Sequence, residues 1–170
     1  MKMLTMITRF RVRCVMAALL LSVLAGGADA QRPTERVQVG RWIVANLGGL
    51  GGNADFCLAT TTFNDNGVIG ILTEGSFAAL YIAHPGVRTT PNTRYDVAYS
   101  FDGGRWTRAS AEGGRDDIMT IRMTGSVENA LRDFADMDEV EVQLPNNVTA
   151  NRSLSGSGAA IAALRRCLRN

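Results

Sequence analysis

Lysine and histidine are almost missing from this sequence, and their scarcity excludes several kinds of site. Lys2 is the single lysine and His84 the single histidine among 170 residues, which also contain three cysteines. A zinc site draws its ligands from histidine, cysteine and carboxylate groups. The acidic stretch over residues 136–141 lacks the D-x-D-x-D-G spacing of a calcium loop. We therefore expect neither a bound metal nor a cofactor.

Recognisable catalytic motifs are missing as well. A Ser-His-acid triad would have to combine His84 with Ser76 or Ser100, yet neither serine lies in a G-x-S-x-G turn. The Pro-Gly pair that follows His84 is typical of a turn. Glu74 and Asp102 offer two carboxylates for glycosidase-like acid and base roles. Both adjoin glycine, where acidic residues are common for backbone reasons, so we do not expect an enzyme.

The first thirty residues have the polarity order of a secretory signal peptide. Four basic residues precede an apolar run over residues 15–25, and the small residues Ala28 and Ala30 stand where a signal peptidase reads. The apolar run is about half of the ~20 residues that span a bilayer. We expect cleavage between Ala30 and Gln31, which would leave residues 31–170 as one domain, in the periplasm or secreted. A retained membrane anchor is the alternative.

Residues 31–170 are nearly neutral. Cleavage would remove four of the 18 basic residues and one of the 16 acidic ones, so 14 arginines would remain beside 15 Asp and Glu. Nucleic-acid binding needs clustered positive charge, so we expect no nucleic-acid partner. The arginine-only basic surface suits bidentate recognition of carboxylates or phosphates, although genome composition explains it more simply.

Two cysteines remain after the expected cleavage, Cys57 and Cys167. Export would place them in an oxidising compartment, where a pair of cysteines forms a disulfide. We expect this bridge to join the last helix to an early strand. Closing a loop of this length removes on the order of 4 to 5 kcal/mol of unfolded-chain entropy in the simple loop model. A redox-active thiol is not expected, because the chain has no C-x-x-C motif.

Short runs of alternating apolar and polar residues, separated by Gly, Asn, Asp and Pro, dominate residues 31–170. Asn66-Gly67 is the strongest hairpin signal among the turns. The runs predict strands over residues 36–46, 57–63, 68–72, 77–83, 95–101, 105–110, 118–123, 140–144 and 152–154.

Two segments have helical periodicity instead. Residues 126–136 predict a short amphipathic helix with Ser126 as its N-cap, and Ser157 can cap a C-terminal helix that turns Cys167 inward. About eight strands and two short helices, without βαβ alternation, favour a mainly β fold. We expect an antiparallel β-sandwich or a flattened barrel with helices at its edges. The glycine-rich stretch over residues 46–53 precedes a strand and predicts a long loop, not a phosphate-binding turn.

Several segments together resemble one family. They are Gly40-Arg41-Trp42, Cys57 before a hairpin, the segment YDVAYSFDGG and the ending SLSGSGAAIAALRRC. In this order, after a signal sequence, they resemble the invasion-associated locus B family of small exported bacterial proteins. The resemblance implies a role at the bacterial surface during contact with host cells, and it carries no catalytic motif. The extended glycine-rich loop departs from the family pattern.

These observations favour a non-enzymatic exported protein that binds another protein, of the envelope or of a host, through strand edges and loops. Among the aromatic residues, Tyr99 and Trp106 are expected to be exposed and to contribute to the binding surface, since aromatics are common at interfaces. One alternative is a hydrolase of envelope polymers that uses Glu74 and Asp102. Another is an inhibitor or immunity-type protein whose loop over residues 46–53 enters the active site of a partner.

Overall fold

Alternating apolar and polar residues form strands along most of the chain, as they do in half-buried sheets. The computed structural model describes residues 36–48, 56–115 and 117–169, which belong to one compact unit, Pro33–Asn170. Within the described ranges the strands are β1 (Arg36–Val39), β2 (Trp42–Asn46), β3 (Phe56–Thr62), β4 (Val68–Glu74), β5 (Phe77–Ala83), β6 (Arg94–Phe101), β7 (Thr107–Gly113), β8 (Ile118–Arg122), β9 (Glu139–Leu144) and β10 (Val148–Ser153). Helix α1 spans Val127–Asp136 and helix α2 spans Ser157–Cys167.

These ten strands form a single antiparallel sheet in the order β1-β2-β3-β4-β5-β8-β7-β6-β9-β10. A mainly β fold with a C-terminal helix is therefore confirmed. The expected sandwich or flattened barrel of about eight strands is wrong, because the sheet is continuous and, within the described residues, its outermost strands β1 and β10 do not pair. Residues 36–46, expected as one strand, fold into a hairpin, and Gly40 takes a positive φ of 58° at its turn.

One face of the sheet, the inner face, forms the core with both helices. Trp42 on β2 is fully buried there, and its ring meets that of Phe134 on α1 edge to face at 5.7 Å between centroids. The indole N–H donates to the carbonyl oxygen of Ser155 at 3.0 Å, just before α2. The fully buried large side chains of the core include Ile69, Ile71, Leu80, Ile82, Met119, Ile121, Leu131, Leu154, Ile161 and Leu164.

The two helices begin differently. The hydroxyl of Ser126 accepts the backbone N–H of Asn129 at 3.2 Å, so this N-cap of α1 is confirmed. The prediction that Ser157 caps α2 is wrong. Gly156 is the N-cap, with a positive φ of 82° that favours glycine, and Ser157 is a buried residue of the first turn.

The disulfide lies where the sequence predicts it. Cys57 on β3 bonds to Cys167 at the end of α2, with 6.1 Å between the two Cα atoms. Cys57 is fully buried, whereas Cys167 is half-buried. The bond therefore fixes the C-terminal helix onto the inner face of the sheet, at the strand that follows the glycine-rich loop.

Arg152 connects the last strand of the sheet, β10, to the hairpin formed by β3 and β4. The guanidinium of Arg152 on β10 lies 2.8 Å from the carboxylate of Asp65, in the turn between β3 and β4. The same guanidinium lies 4.9 Å from the centroid of the Phe63 ring, and the guanidinium of Arg41 lies 4.6 Å from the same centroid. The pKa of Asp65 is lowered, first by the backbone N–H of Gly67 and then by Arg152. The sheet is thus curled, and its core lies on the concave side with the helices.

Candidate binding surface

The strand register defines a second face of the sheet, the outer face, opposite the helices. One row of cross-strand partners runs over six neighbouring strands of that face. In order from β2 to β7 it consists of Ile43, Thr60, Gly70, Tyr81, Thr120 and Glu112. The contacts that fix the helices, namely the Trp42–Phe134 ring pair and the disulfide, lie on the inner face.

The outer face carries a group of apolar side chains over β3 to β5, with Glu74 of β4 between Phe56 and Phe77. Four half-buried side chains, here called the outer strip, lie on it: Phe56, Leu58, Leu72 and Phe77. Leu58 is opposite Leu72, and Leu72 is opposite the fully buried Ala79. An antiparallel sheet with one face in water usually carries polar residues on that face. The outer strip therefore departs from the pattern of a solvated sheet face.

A groove of about 720 Å³ adjoins the outer strip, over β5, β8, β7 and β6. Its walls carry Phe77 from the outer strip and the charged residues Arg94, Glu112, Arg115 and Arg122, and we call it the arginine groove. The guanidinium of Arg122 lies 5.0 Å from the ring centroid of Phe77, within the range of a cation–π contact. Three arginines and one glutamate give the charged groups of the groove a surplus of positive charge.

The three groove arginines have no ion-pair partner in the part of the chain that the structure describes. The ion pairs there are Arg88–Asp117, Arg132–Asp133, Arg152–Asp65 and Arg165–Glu128. Asp117, near the groove in sequence, is already engaged. Its pKa is lowered because the backbone N–H of Thr89 and then the guanidinium of Arg88 stabilise the charged carboxylate. The groove therefore presents guanidinium groups that form no ion pair with the described acids, although Glu112 lies opposite Arg94 on β7.

Of the two aromatic residues predicted to be exposed, the structure exposes one and buries the other. Trp106 lies just before β7 and is 37% exposed, as expected. Tyr99 is only 6% exposed, so the prediction of its exposure is wrong. It lies on the inner face of β6, its ring 5.8 Å from that of Phe101, and burial raises the pKa of its phenol. Period two shows that Tyr99 and Phe101 share a face, but only packing decides that this face is the core.

The structure does not combine His84 with either serine. The Nδ1 atom of His84 accepts the backbone N–H of Gly86 at 3.0 Å, so the turn interpretation is confirmed. Ser76 precedes β5 and His84 follows it, which separates them by about 26 Å along the extended strand. Ser100 is buried, and its hydroxyl donates to the carbonyl oxygen of Gly104 at 2.9 Å. His84 and Ser100 therefore each have a local structural role.

Glu74 and Asp102 lie at the ends of strands that are four positions apart in the sheet order. Four strand spacings amount to about 19 Å along the sheet. The carboxylate of Asp102 accepts the backbone N–H groups of Asp138 at 2.9 Å and Glu139 at 2.8 Å. It thereby joins the β6–β7 turn to the start of β9.

These contacts predict the effect of changing Asp102. Asp102→Ala should lower the free energy of unfolding by about 1 to 2 kcal/mol, because two backbone N–H groups lose their acceptor. Asp102→Asn retains an oxygen acceptor and should cost only a few tenths of a kcal/mol. Urea unfolding of both variants measures the difference. A stable Asp102→Asn variant that had lost a glycan-hydrolysing activity of the parent would instead show that Asp102 is catalytic.

Some predicted features fall outside the described residues. They are the signal peptide over residues 1–30 and the glycine-rich loop from residue 49 onwards.

Within the described ranges, no three His, Cys, Asp or Glu side chains are placed to hold a metal ion together. Neither of the helices described there is long and apolar enough to cross a bilayer.

Comparison with solved structures shows a protein with a similar fold. No protein-family model and no curated protein matches the chain. The crystal structure of invasion-associated protein B from Bartonella henselae superposes with a TM-score of 0.51, over 81% of this chain and all of that chain. The two proteins share a fold. Their sequence identity is 14%, so the likeness concerns the fold alone. At that level it confirms the resemblance seen in the sequence.

Sequence reasoning missed the arginine groove. Arg122 alternates with apolar neighbours in the predicted strand over residues 118–123, whereas Arg94 directly precedes the predicted strand over residues 95–101. What the pattern lacks is the order of the strands, which places β8 and β7 between β5 and β6. Only that order brings Arg94, Arg115 and Arg122 to one groove.

Proposed function

We propose that this is a non-enzymatic exported protein of the bacterial envelope that binds another protein through the outer face of its sheet. The main observation in support of this proposal is the outer strip, a group of apolar side chains on the face opposite the helices. It lies next to the arginine groove. Apolar surface that a partner removes from water contributes roughly 25 cal/mol per Å². Arginine and aromatic residues are also enriched in interfaces.

Three further observations support export and a surface role. The first thirty residues have the order of a signal peptide. The disulfide is of the kind that persists in oxidising compartments. The fold is shared with a protein named for its association with invasion. The local structural roles of His84, Ser100 and Asp102 are consistent with a protein that binds without catalysis.

The proposal predicts that polar changes in the outer strip weaken partner capture. We expect a variant with Leu58→Gln and Leu72→Gln to recover about fivefold less of any stoichiometric envelope partner, since two adjacent interface residues that together contribute about 1 kcal/mol change the affinity by that factor. Affinity capture from the envelope fraction, quantified by mass spectrometry, measures the recovery. Circular dichroism and urea unfolding check that the variant is folded.

A matched control is Val37→Gln, which changes an exposed side chain of β1 on the other side of the sheet. This variant should capture the partner as the parent does. Equal recovery by the parent and by the folded outer-strip variant would contradict the proposal and would direct attention to the strand edges.

A further inference from the structure

We infer that the arginine groove receives an acidic, extended peptide segment of the partner, with carboxylates at alternate positions. This inference rests on the proposed function, because it names the chemistry of the partner at the edge of the same outer face. The groove contains Arg94, Arg115 and Arg122 with one acid, Glu112. None of the three arginines has an acidic partner within the described residues.

The register gives the spacing of two of these arginines. Arg94 is opposite Glu112, which is opposite Thr120, and Arg122 follows Thr120 by two residues on the same strand. Two strand spacings and a two-residue rise place the Cα atoms of Arg94 and Arg122 about 12 Å apart. Alternate side chains of an extended peptide project from one face at intervals of about 7 Å. The long arginine stems can bridge this difference and bind two such carboxylates.

The wall of the groove indicates what else the ligand carries. Phe77 supports the guanidinium of Arg122 and is also a member of the outer strip. A ligand that fills the groove therefore meets guanidinium groups and apolar surface together. A peptide offers carboxylates and apolar side chains in a single segment, with the apolar ones between the acidic ones. The guanidinium fork recognises carboxylates in a bidentate manner.

The net charge of residues 31–170 argues against a lipid or nucleic-acid surface as the ligand. The 15 acidic residues slightly outnumber the 14 arginines there, so no general attraction to an anionic surface exists. The attraction is local to the groove, and its arginines line a recess instead of a flat or protruding patch. A narrow extended segment fits a recess, whereas a bilayer surface does not.

The test measures binding of a labelled peptide of about eight residues, ~26 Å when extended, that alternates glutamate with valine. The oxidised full chain should bind it, and a peptide with glutamine in place of glutamate should bind more weakly. Arg94→Gln and Arg122→Gln should each raise Kd about three- to fivefold. Glu112→Gln should lower Kd about threefold, because it removes a like charge. The control Arg166→Gln, an exposed change on α2 on the other side of the sheet, should leave Kd unchanged.

The opposite signs at Arg122 and Glu112 distinguish charge recognition from a folding defect, which would weaken binding in both variants. Higher salt should weaken binding to the glutamate peptide. The inference is overturned if the groove variants bind like the parent, or if Arg166→Gln has the same effect. Groove-dependent binding to phosphatidylglycerol vesicles in preference to the peptide would overturn it too. Loss of partner capture in the outer-strip variant, with no effect of the groove variants, would leave the proposed function standing alone.

Discussion

Replacing Cys57 and Cys167 together by alanine should lower the free energy of unfolding by about 4 kcal/mol. The bridge links residues 110 positions apart, and a loop of that length loses on the order of 4 to 5 kcal/mol of unfolded-chain entropy when it is closed. Alanine adds no polar group at the fully buried Cys57. Urea unfolding of the oxidised parent and the double variant under identical conditions gives the difference.

The parent under reducing conditions is the matched control, since it keeps both sulfur atoms and loses only the bond. Its unfolding midpoint should fall close to that of the double variant. A loss below about 1 kcal/mol in both samples would mean that the bond hardly constrains the unfolded chain, as occurs when the denatured state retains structure. A large loss would mean that the fold depends on conditions that keep the bridge oxidised.

Trp42→Ala should cost about 3 to 5 kcal/mol of stability, the range for truncating a large buried aromatic side chain. Trp42 is fully buried and connects three elements, since it lies on β2, meets Phe134 on α1 and donates to Ser155 before α2. Removing the indole leaves a cavity where sheet and helices meet. Trp42→Phe keeps most of the ring packing and loses the N–H donor, so it should cost less.

Trp106→Ala provides the control for this prediction, because it removes the same side chain from a site that is 37% exposed. Its effect on the free energy of unfolding should be about 1 kcal/mol, well below that of Trp42→Ala, because part of the side chain is already in water. Thermal or urea unfolding of the three variants compares them directly. Similar losses for Trp42→Ala and Trp106→Ala would contradict the assignment of Trp42 to the core.

Local sequence signals were sufficient for several elements. The hairpin turn at Asn66-Gly67 follows because asparagine tolerates a positive φ angle, and Asn66 has a φ of 62°. The N-cap at Ser126 follows from a hydroxyl that satisfies a free backbone N–H. The pairing of Cys57 with Cys167 follows from counting, because the segment after the expected cleavage site contains no other cysteine.

Other features were mispredicted because local signals are ambiguous. The β1–β2 hairpin was missed because its turn consists of only Gly40 and Arg41, within a run that otherwise alternates like one strand. Serine is a favoured N-cap residue, which predicts Ser157 as the cap, yet α2 begins after Gly156, whose positive φ lets it cap the helix. The period of two places Tyr99 and Phe101 on one face but does not say which face is covered.

The sequence by itself determined the strand-rich character, the two helices and the disulfide, because each depends on residues close in the chain or on cysteine number. Only the tertiary structure decided that the sheet is single, that the helices cover one face, and that the outer strip and the arginine groove lie on the other. Strand order causes this division. Arg94 and Arg122 are 28 positions apart in the sequence, and they become neighbours in space only because β7 and β8 pair between β6 and β5.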